Sequence, residues 1–224
     1  MNYAIVLTGG SGKRIHNSMP KQFIKIKDKE LFLYSLDTFL ACEEIKKVYL
    51  VINKEYEQEY INVLKKYNYL DRICLIYGGK TRHESVNNAV EFIKKSVNKE
   101  DIVLIHDGAR PLLSKEIIDR SIHQIKTNKK PVSTIIRIVD TIVDKDYNLY
   151  DRNNLFLVQT PQTFIYSQLL DICKKDMGDD LNATDEIQLA KKAGFDIDYV
   201  MGSRNNFKVT IDEDLEVLEK LLEG

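Results

Sequence analysis

Short apolar runs alternate with amphipathic stretches along most of this chain, and this alternation restricts the fold more than any other feature of the sequence. The apolar runs are typical of buried strands and cover residues 3–7, 48–52, 73–77 and 102–105. Between them, apolar residues recur at helical spacing, as at Phe32, Leu36 and Phe39. Strands that alternate with helices form right-handed βαβ units. The sequence therefore predicts an α/β fold with three layers, in which helices cover both faces of a mainly parallel, Rossmann-like sheet.

The alternation pauses between residues 132 and 158. This segment is β-rich on either side of a turn at residues 146–148. It is too short to build a core of its own. We therefore expect a protruding β-hairpin arm, inserted in a single domain of residues 1–224.

The pattern resumes after the arm and continues to the end of the chain. Helices are predicted near residues 166–173 and 184–192, followed by a strand at residues 197–201. Thr210 and Glu213 have the spacing of a capping box and are expected to begin the last helix. Ser114 is expected to cap an earlier helix in the same way.

A glycine-rich segment, Thr8-Gly9-Gly10-Ser11-Gly12, follows the first strand. Its glycines allow a tight turn that leaves backbone N–H groups uncovered for an anion. Arg14 and Lys21 bring two cations to the same place, which favours phosphate as the anion. The spacing fits neither a P-loop nor a dinucleotide fingerprint. The alternative is an ordinary glycine-rich turn with solvated charges.

Two more motifs follow predicted strands, namely residues 78–82 and the pair His106-Asp107. Ligands of parallel sheets bind outside the carboxyl ends of the strands, so we expect these motifs to share one site with the glycine loop. Asp107 ends its strand, where a hard oxygen ligand can hold one Mg²⁺ on nucleotide phosphates. A turn or helix cap is the alternative role for Asp107, and a hydrogen bond that orients the loop is expected of His106.

Composition limits the partners. With 33 basic and 34 acidic residues, nothing points to nucleic acid or a membrane surface as a partner. The three cysteines show no metal or redox spacing and suit a reducing compartment. No targeting segment and no apolar run of ~18 residues is evident. We expect a soluble, cytoplasmic protein with a small anionic ligand.

Four motifs stand in order along the chain, at residues 9–22, 78–86, 106–111 and 206–210. In this order they resemble the polyol-phosphate cytidylyltransferases, and the resemblance spans about residues 3–218. It implies an enzyme that transfers CMP from CTP to a polyol phosphate and releases pyrophosphate, with Mg²⁺ as cofactor. The acceptor's own phosphate oxygen would be the nucleophile, so no protein base is needed. Cations would stabilise the charge that develops as two anions meet.

The resemblance also assigns roles to residues. The catalytic cations would be Arg14, Lys21 and Lys208. The nucleotide-binding residues would be Thr8, Gly9, Gly10, Ser11, Gly12, Gly78, Gly79, Arg82, Ser85 and Asp107, with Asp107 also holding the metal. An N-cap is an equally weighted role for Ser85, and Arg110 is open between a phosphate contact and a structural ion pair.

The acceptor-binding residues implied by the resemblance are Asp107, Thr141, Arg152, Thr160, Thr184, Asp185 and Lys208. Thr141 and Arg152 lie on the arm and would reach the site of a neighbouring subunit, which implies a homodimer joined through the arms. A capped helix start is the alternative role for Thr184.

Some residues depart from the family pattern. The first loop begins Thr8-Gly9-Gly10 where Ala-Ala-Gly is common, and Gly108 replaces an alanine. A Gly-Gly start also occurs in enzymes that act on ribitol 5-phosphate, which is the alternative acceptor. Residues 83–86 and 152–156 resemble the enzymes for 2-C-methyl-D-erythritol 4-phosphate more closely, and we favour that acceptor. A non-catalytic nucleotide-binding protein of the same fold is the third alternative.

Overall fold

The computed structural model describes residues 1–10, 19–174 and 185–223. Its strands are β1 (Asn2–Leu7), β2 (Lys25–Ile26), β3 (Lys29–Glu30), β4 (Ile45–Ile52), β5 (Ile73–Tyr77), β6 (Ile102–Asp107), β7 (Val132–Arg137), β8 (Ile142–Val143), β9 (Leu149–Tyr150), β10 (Phe156–Ile165) and β11 (Asp198–Met201). Its α-helices are α1 (Leu31–Ala41), α2 (Glu57–Lys66), α3 (Arg82–Ile93), α4 (Lys115–Asn128), α5 (Tyr166–Lys174), α6 (Glu186–Lys192) and α7 (Asp212–Leu221). Short 3-10 helices cover Lys21–Phe23, Lys54–Tyr56 and Arg152–Asn154.

Seven of the described strands form one central sheet, in the order β11-β7-β10-β6-β1-β4-β5. β1 lies between β4 and β6 and pairs with both in parallel, and β4 pairs with β5 in the same sense. β10 is antiparallel to its neighbours β6 and β7. The predicted mainly parallel sheet is thus confirmed, with β10 as the reversed strand among those described.

Helices cover both faces of this sheet. On one face, α1, α2 and α4 bury apolar side chains that include Phe32, Leu64 and Ile118. On the other face, α3, α5 and α6 do the same with residues such as Val90 and Leu169. Each fully buried aliphatic side chain contributes about 1.5–3 kcal/mol to folding before entropy is counted. The predicted three layers are therefore present, and their packing holds the strand ends in place.

The predicted starts of α4 and α7 are correct to within one residue, but their capping hydrogen bonds differ from those expected. Ser114 occupies the N-cap of α4 without making a side-chain capping hydrogen bond. The predicted box of Thr210 and Glu213 is wrong, because α7 begins one residue later. The Asp214 carboxylate accepts from the backbone N–H groups of Thr210 and Ile211, at 2.6 and 3.1 Å.

The segment between α4 and α5 leaves the sheet and returns to it. β7 pairs with the first part of β10, from Arg137 opposite Phe156 to Thr134 opposite Gln159. Beyond the sheet, β8 and β9 form a two-residue ladder. The outer residues of β10 are exposed, whereas its side chains from Gln159 onward are buried. β10 therefore belongs to both the arm and the central sheet. Within the described residues, no helix has the length and apolar character needed to cross a membrane.

Candidate active site

A cavity of about 710 Å³ opens at the carboxyl edge of the sheet. Its walls come from the segments that follow β1, β4, β5 and β6, together with the chain around Lys21 and Lys208. This is where a parallel sheet offers a ligand site, since the loops after adjacent strands meet there. The four sequence motifs, spread over the whole chain, therefore meet in one place.

Most of the residues assigned by resemblance line this cavity. They are Thr8, Gly9, Gly10, Lys21, Gly78, Gly79, Arg82, Ser85, Asp107 and Lys208. Ser11, Gly12, Arg14 and Thr184 lie outside the described residues. Thr141, Arg152, Thr160 and Asp185 are described and do not line the cavity.

The start of the glycine loop is fixed by hydrogen bonds from both sides. The Thr8 hydroxyl and backbone N–H both donate to the Val51 carbonyl, at 2.8 and 2.9 Å. The buried Tyr60 hydroxyl donates to the Thr8 carbonyl at 3.0 Å, and burial raises the pKa of this phenol. Helical spacing in the sequence does not reveal that the Tyr60 hydroxyl points toward this loop.

Thr8 and Gly108, which both depart from the family pattern, are neighbours in space. A Cβ added at Gly108 would lie 2.4 Å from Cγ2 of Thr8. The methyl group of Thr8 therefore fills the space that an alanine at position 108 would need, since carbon atoms in contact stay well over 3 Å apart. Threonine at one position thus requires glycine at the other.

The loop after β5 is closed by Ser85. Its hydroxyl accepts from the Gly79 N–H at 3.0 Å and donates to the Thr81 carbonyl at 2.8 Å. Thr81 is the N-cap of α3, because its hydroxyl accepts from the Glu84 N–H at 3.0 Å. The alternative role of Ser85 as an N-cap is therefore wrong. Gly79 is required here, since an added Cβ would lie 2.3 Å from Cβ of Glu84.

Asp107 is the centre of a charged cluster on the cavity wall. Its carboxylate lies 3.0 Å from Lys208 Nζ, 3.3 Å from Arg82 Nε and 3.6 Å from Arg110 Nε. Burial alone would raise the pKa of Asp107, but Arg82, Lys208 and Arg110 lower it well below its usual value. Asp107 is therefore an ionised acceptor at neutral pH.

An ionised carboxylate at a strand end suits Mg²⁺, which commonly takes one or two protein carboxylates and completes its shell with water and substrate phosphates. The described residues contain no group of three or more His, Cys, Asp or Glu that would form a metal cage. Asp107 thus fits a metal that arrives with phosphate and does not fit a metal held by protein alone.

A buried hydrogen-bond chain holds Asp107 from behind. The Asp107 N–H donates to the Thr160 hydroxyl at 3.1 Å, and that hydroxyl lies 2.9 Å from His106 Nδ1. His106 Nε2 lies 3.1 Å from the Arg110 carbonyl, so Nε2 carries the proton and Nδ1 accepts. Burial lowers the pKa of His106 to about 4, so the ring is neutral at pH 7. The orienting role expected of His106 matches this geometry.

Arg110 is engaged within the protein. Its side chain is only 12% exposed, and Nη1 donates to the Asn206 carbonyl at 2.9 Å. Together with the contact to Asp107, this arrangement corresponds to the structural ion pair that sequence analysis left open. Arg110 therefore joins the third motif to the fourth.

Arg82 makes a contact that the sequence did not reveal. Its Nη1 lies 2.6 and 2.5 Å from the two carboxylate oxygens of Glu186, at the first residue of α6. Asp185 caps the same helix by accepting from the Gln188 N–H at 2.9 Å. The segment around Asp185 was assigned to the acceptor by resemblance. Glu186 was noted only as part of that segment, since no spacing rule pairs residues 104 positions apart.

The arm residues lie away from the cavity. Thr141 and Arg152 are exposed, and the Arg152 guanidinium donates to the Val139 carbonyl of the same arm. Neither side chain therefore lines the cavity of its own chain.

Backbone amides, ammonium groups and an ionised carboxylate around one cavity are suited to chemistry between two phosphates, and on a Rossmann-like sheet they define a nucleotidyltransferase. A sequence model of one family within that class, 2-C-methyl-D-erythritol 4-phosphate cytidylyltransferase (IspD), matches residues 2–224. The chain belongs to this family. The predicted resemblance and the enzyme class are confirmed, and the family is named for the acceptor that the sequence favoured over ribitol 5-phosphate.

Relatives and solved structures agree with this assignment. The chain is 38% identical over 223 residues to the 2-C-methyl-D-erythritol 4-phosphate cytidylyltransferase of Thermosipho africanus, covering 97% of this chain and 96% of that one. It is 36% identical to the enzyme of the same name from Clostridioides difficile, over 99% of this chain and 94% of the relative. The crystal structure of 4-diphosphocytidyl-2C-methyl-D-erythritol synthase from Anaerococcus prevotii superposes with a TM-score of 0.83 at 28% identity, covering 100% of this chain and 96% of that one.

Proposed function

We propose that the cavity at the sheet edge catalyses CTP-dependent formation of 4-diphosphocytidyl-2-C-methyl-D-erythritol, a step of isoprenoid precursor synthesis. A phosphate oxygen of 2-C-methyl-D-erythritol 4-phosphate attacks the α-phosphorus of CTP. The new phosphorus–oxygen bond forms as the bond from the α-phosphorus to the β-phosphate oxygen breaks, and pyrophosphate leaves. The convergence of Lys21, Asp107 and Lys208 in one cavity with the glycine loop is the observation that carries this proposal.

The cations reduce the repulsion between the two reacting anions. Lys21 donates to the Val209 carbonyl at 2.7 Å, and Lys208 is the preceding residue. Lys21 is therefore anchored to the segment that carries Lys208, whose own ammonium contacts Asp107 at 3.0 Å. Both cations line the cavity, where fixed charge is most effective because it needs no reorganisation. We propose Arg14 as a third cation, on the family resemblance alone.

The nucleotide is held by the two glycine segments. Backbone N–H groups of Gly9 and Gly10 are assigned to the triphosphate, as are Ser11 and Gly12. The segment of Gly78, Gly79 and Ser85 is assigned to cytosine, whose carbonyl and amine can be read by backbone groups and one hydroxyl.

Mg²⁺ is proposed as the cofactor, with Asp107 as its protein ligand; when bound, it neutralises phosphate charge and orients the triphosphate. Arg110 holds the Asp107 carboxylate on one side, and Thr160 holds its backbone on the other. These residues fix where the carboxylate points.

The acceptor site is proposed to be completed by a second subunit. Thr141 and Arg152 of one arm would reach the cavity of the partner and bind the acceptor phosphate. The arm exposes apolar side chains, among them Leu149, Phe156 and Leu157, which packing against the arm of a second subunit would bury. We propose a cytoplasmic homodimer.

An assay of pyrophosphate release tests the function. With CTP and Mg²⁺, 2-C-methyl-D-erythritol 4-phosphate should support turnover and ribitol 5-phosphate should not. Turnover with ribitol 5-phosphate but not with 2-C-methyl-D-erythritol 4-phosphate would overturn the assignment of the acceptor. CTP binding without turnover on either acceptor would overturn the enzymatic function itself.

A further inference from the structure

Arg82 lies between the carboxylates of Asp107, which lines the cavity, and Glu186, which does not. It is closer to Glu186. Its Nη1 is 2.6 and 2.5 Å from the Glu186 oxygens, whereas its Nε is 3.3 Å from Asp107. The Glu186 side chain is only 2% exposed, and that of Arg82 is 27% exposed. Short charge-assisted contacts in a dry environment are strong. Glu186 therefore determines where the guanidinium rests.

The charges around Asp107 are not balanced. Asp107 and Glu186 contribute two negative charges, and Arg82, Arg110 and Lys208 contribute three positive charges, so the cluster carries a net charge of +1. Arg82, Arg110 and Lys208 all contact the Asp107 carboxylate, so a metal would have to compete with these cations for it.

We propose that Glu186 is a positioning residue that draws Arg82 away from Asp107 and so keeps that carboxylate accessible to the divalent cation of the nucleotide complex. The inference rests on the proposed role of Asp107 as metal ligand. Without the charge of Glu186, the fork of Arg82 would turn fully to Asp107, because bidentate pairing with a carboxylate is its preferred geometry. The metal would then have to displace an arginine.

If Glu186 has this role, its loss should affect two quantities differently, namely the affinity for metal-free CTP and the additional affinity that Mg²⁺ gives to CTP. A merely structural role predicts that both decrease. Removing the charge of Glu186 raises the net charge of the cluster from +1 to +2. CTP without metal is a polyanion, so its affinity should stay the same or increase. The additional affinity that Mg²⁺ gives to CTP should decrease, because the carboxylate that binds the metal is occupied. General loosening of the site would weaken both.

Titration calorimetry of Glu186→Gln with CTP measures both quantities. The absence of acceptor prevents turnover, so CTP itself is the probe, once in EDTA and once in excess Mg²⁺. We expect the ratio of the two Kd values, EDTA over Mg²⁺, to fall by at least about fivefold relative to wild type. The Kd in EDTA should be unchanged or lower. Glu91→Gln is the matched control, since it removes one carboxylate from α3 at a side chain that is 69% exposed and contacts Lys94.

The double variant Arg82→Gln/Glu186→Gln removes the competing cation together with its partner. It leaves no unpaired buried charge, so it tests the inference even if the single variant does not fold. Its Kd ratio should return to at least the wild-type value. A ratio as low as that of Glu186→Gln, or a wild-type ratio in Glu186→Gln, would overturn the inference.

Asp107→Asn separates this inference from the function it rests on. A reduced Kd ratio in Asp107→Asn with an unchanged ratio in Glu186→Gln overturns only the role of Glu186. An unchanged ratio in Asp107→Asn overturns the metal role of Asp107 and the inference with it.

Discussion

The ammonium group of Lys21 lies 2.7 Å from the carbonyl oxygen of Val209, 188 residues later in the chain. This bond ties the first motif to the last. It brings Lys21 to the segment that carries Lys208, and both residues line the cavity although neither belongs to a strand of the central sheet. Two segments that are distant in the sequence therefore anchor each other at the site.

Lys21→Ala should reduce kcat by about 10²–10³-fold, with a much smaller change in the Kd for CTP, because the ammonium acts where charge develops in the transition state. Single-turnover kinetics and calorimetry measure the two effects separately. Lys25→Ala, at a side chain that is 57% exposed, is the control for loss of one lysine. A rise in KM with unchanged kcat would contradict a catalytic role for Lys21.

Arg152→Ala should raise the KM for 2-C-methyl-D-erythritol 4-phosphate by at least about tenfold and leave the KM for CTP nearly unchanged, since a charge-assisted phosphate contact is worth about 1.5–3 kcal/mol. Steady-state kinetics with each substrate varied in turn provide the measurement. Arg120→Ala, on α4, removes one arginine without touching the arm. If CTP affinity fell instead, the proposed contribution of the arm to the acceptor site would be wrong.

Gly108→Ala should destabilise the protein by about 1–3 kcal/mol, because its methyl group overlaps that of Thr8 and a packed interior does not accommodate an extra carbon. Thr8→Ser/Gly108→Ala should recover most of this loss, since serine lacks the methyl and keeps the hydroxyl that donates to Val51. Urea unfolding of the wild type, both single variants and the double variant gives the coupling free energy. Additive effects would show that the two residues do not contact each other.

Thr160→Val should cost about 1–3 kcal/mol of the free energy of unfolding, because it leaves the Asp107 N–H and His106 Nδ1 without partners in a buried position. Thr160→Ser keeps the hydroxyl and should stay within about 1 kcal/mol of wild type. Equal stability of the valine and serine variants would mean that the hydroxyl does not support Asp107.

The sequence predicted strands β1, β4, β5, β6 and β11, the layers and the edge of the sheet where the motifs meet, because apolar periodicity and the geometry of parallel sheets are local or general rules. Strands β7 and β10 of the central sheet were expected only within the arm. It also brought Lys21, Asp107 and Lys208 together, but only through the order of four motifs that resemble a known family. Their side-chain roles, the metal and the dimer remain predictions for the experiments above.

What the sequence could not supply were contacts between distant polar groups. The bond from Tyr60 to Thr8, the pair of Arg82 with Glu186 and the overlap between Thr8 and Gly108 depend on how side chains approach one another after packing. The cap of α7 was misplaced for a related reason. The sequence pattern paired Thr210 with Glu213, but the carboxylate that accepts from the N–H groups of Thr210 and Ile211 is that of Asp214.

The continuity of β10 restricts how this chain can vary in length. Side chains alternate between the two faces of a strand, so one inserted or deleted residue between Phe156 and Val158 would turn either the apolar side chains of the arm or Thr160 to the opposite face. The turn at residues 145–148 is exposed and carries no such restriction. Natural insertions in this part of the chain should therefore collect at the tip of the hairpin and be excluded from the strand that supports it.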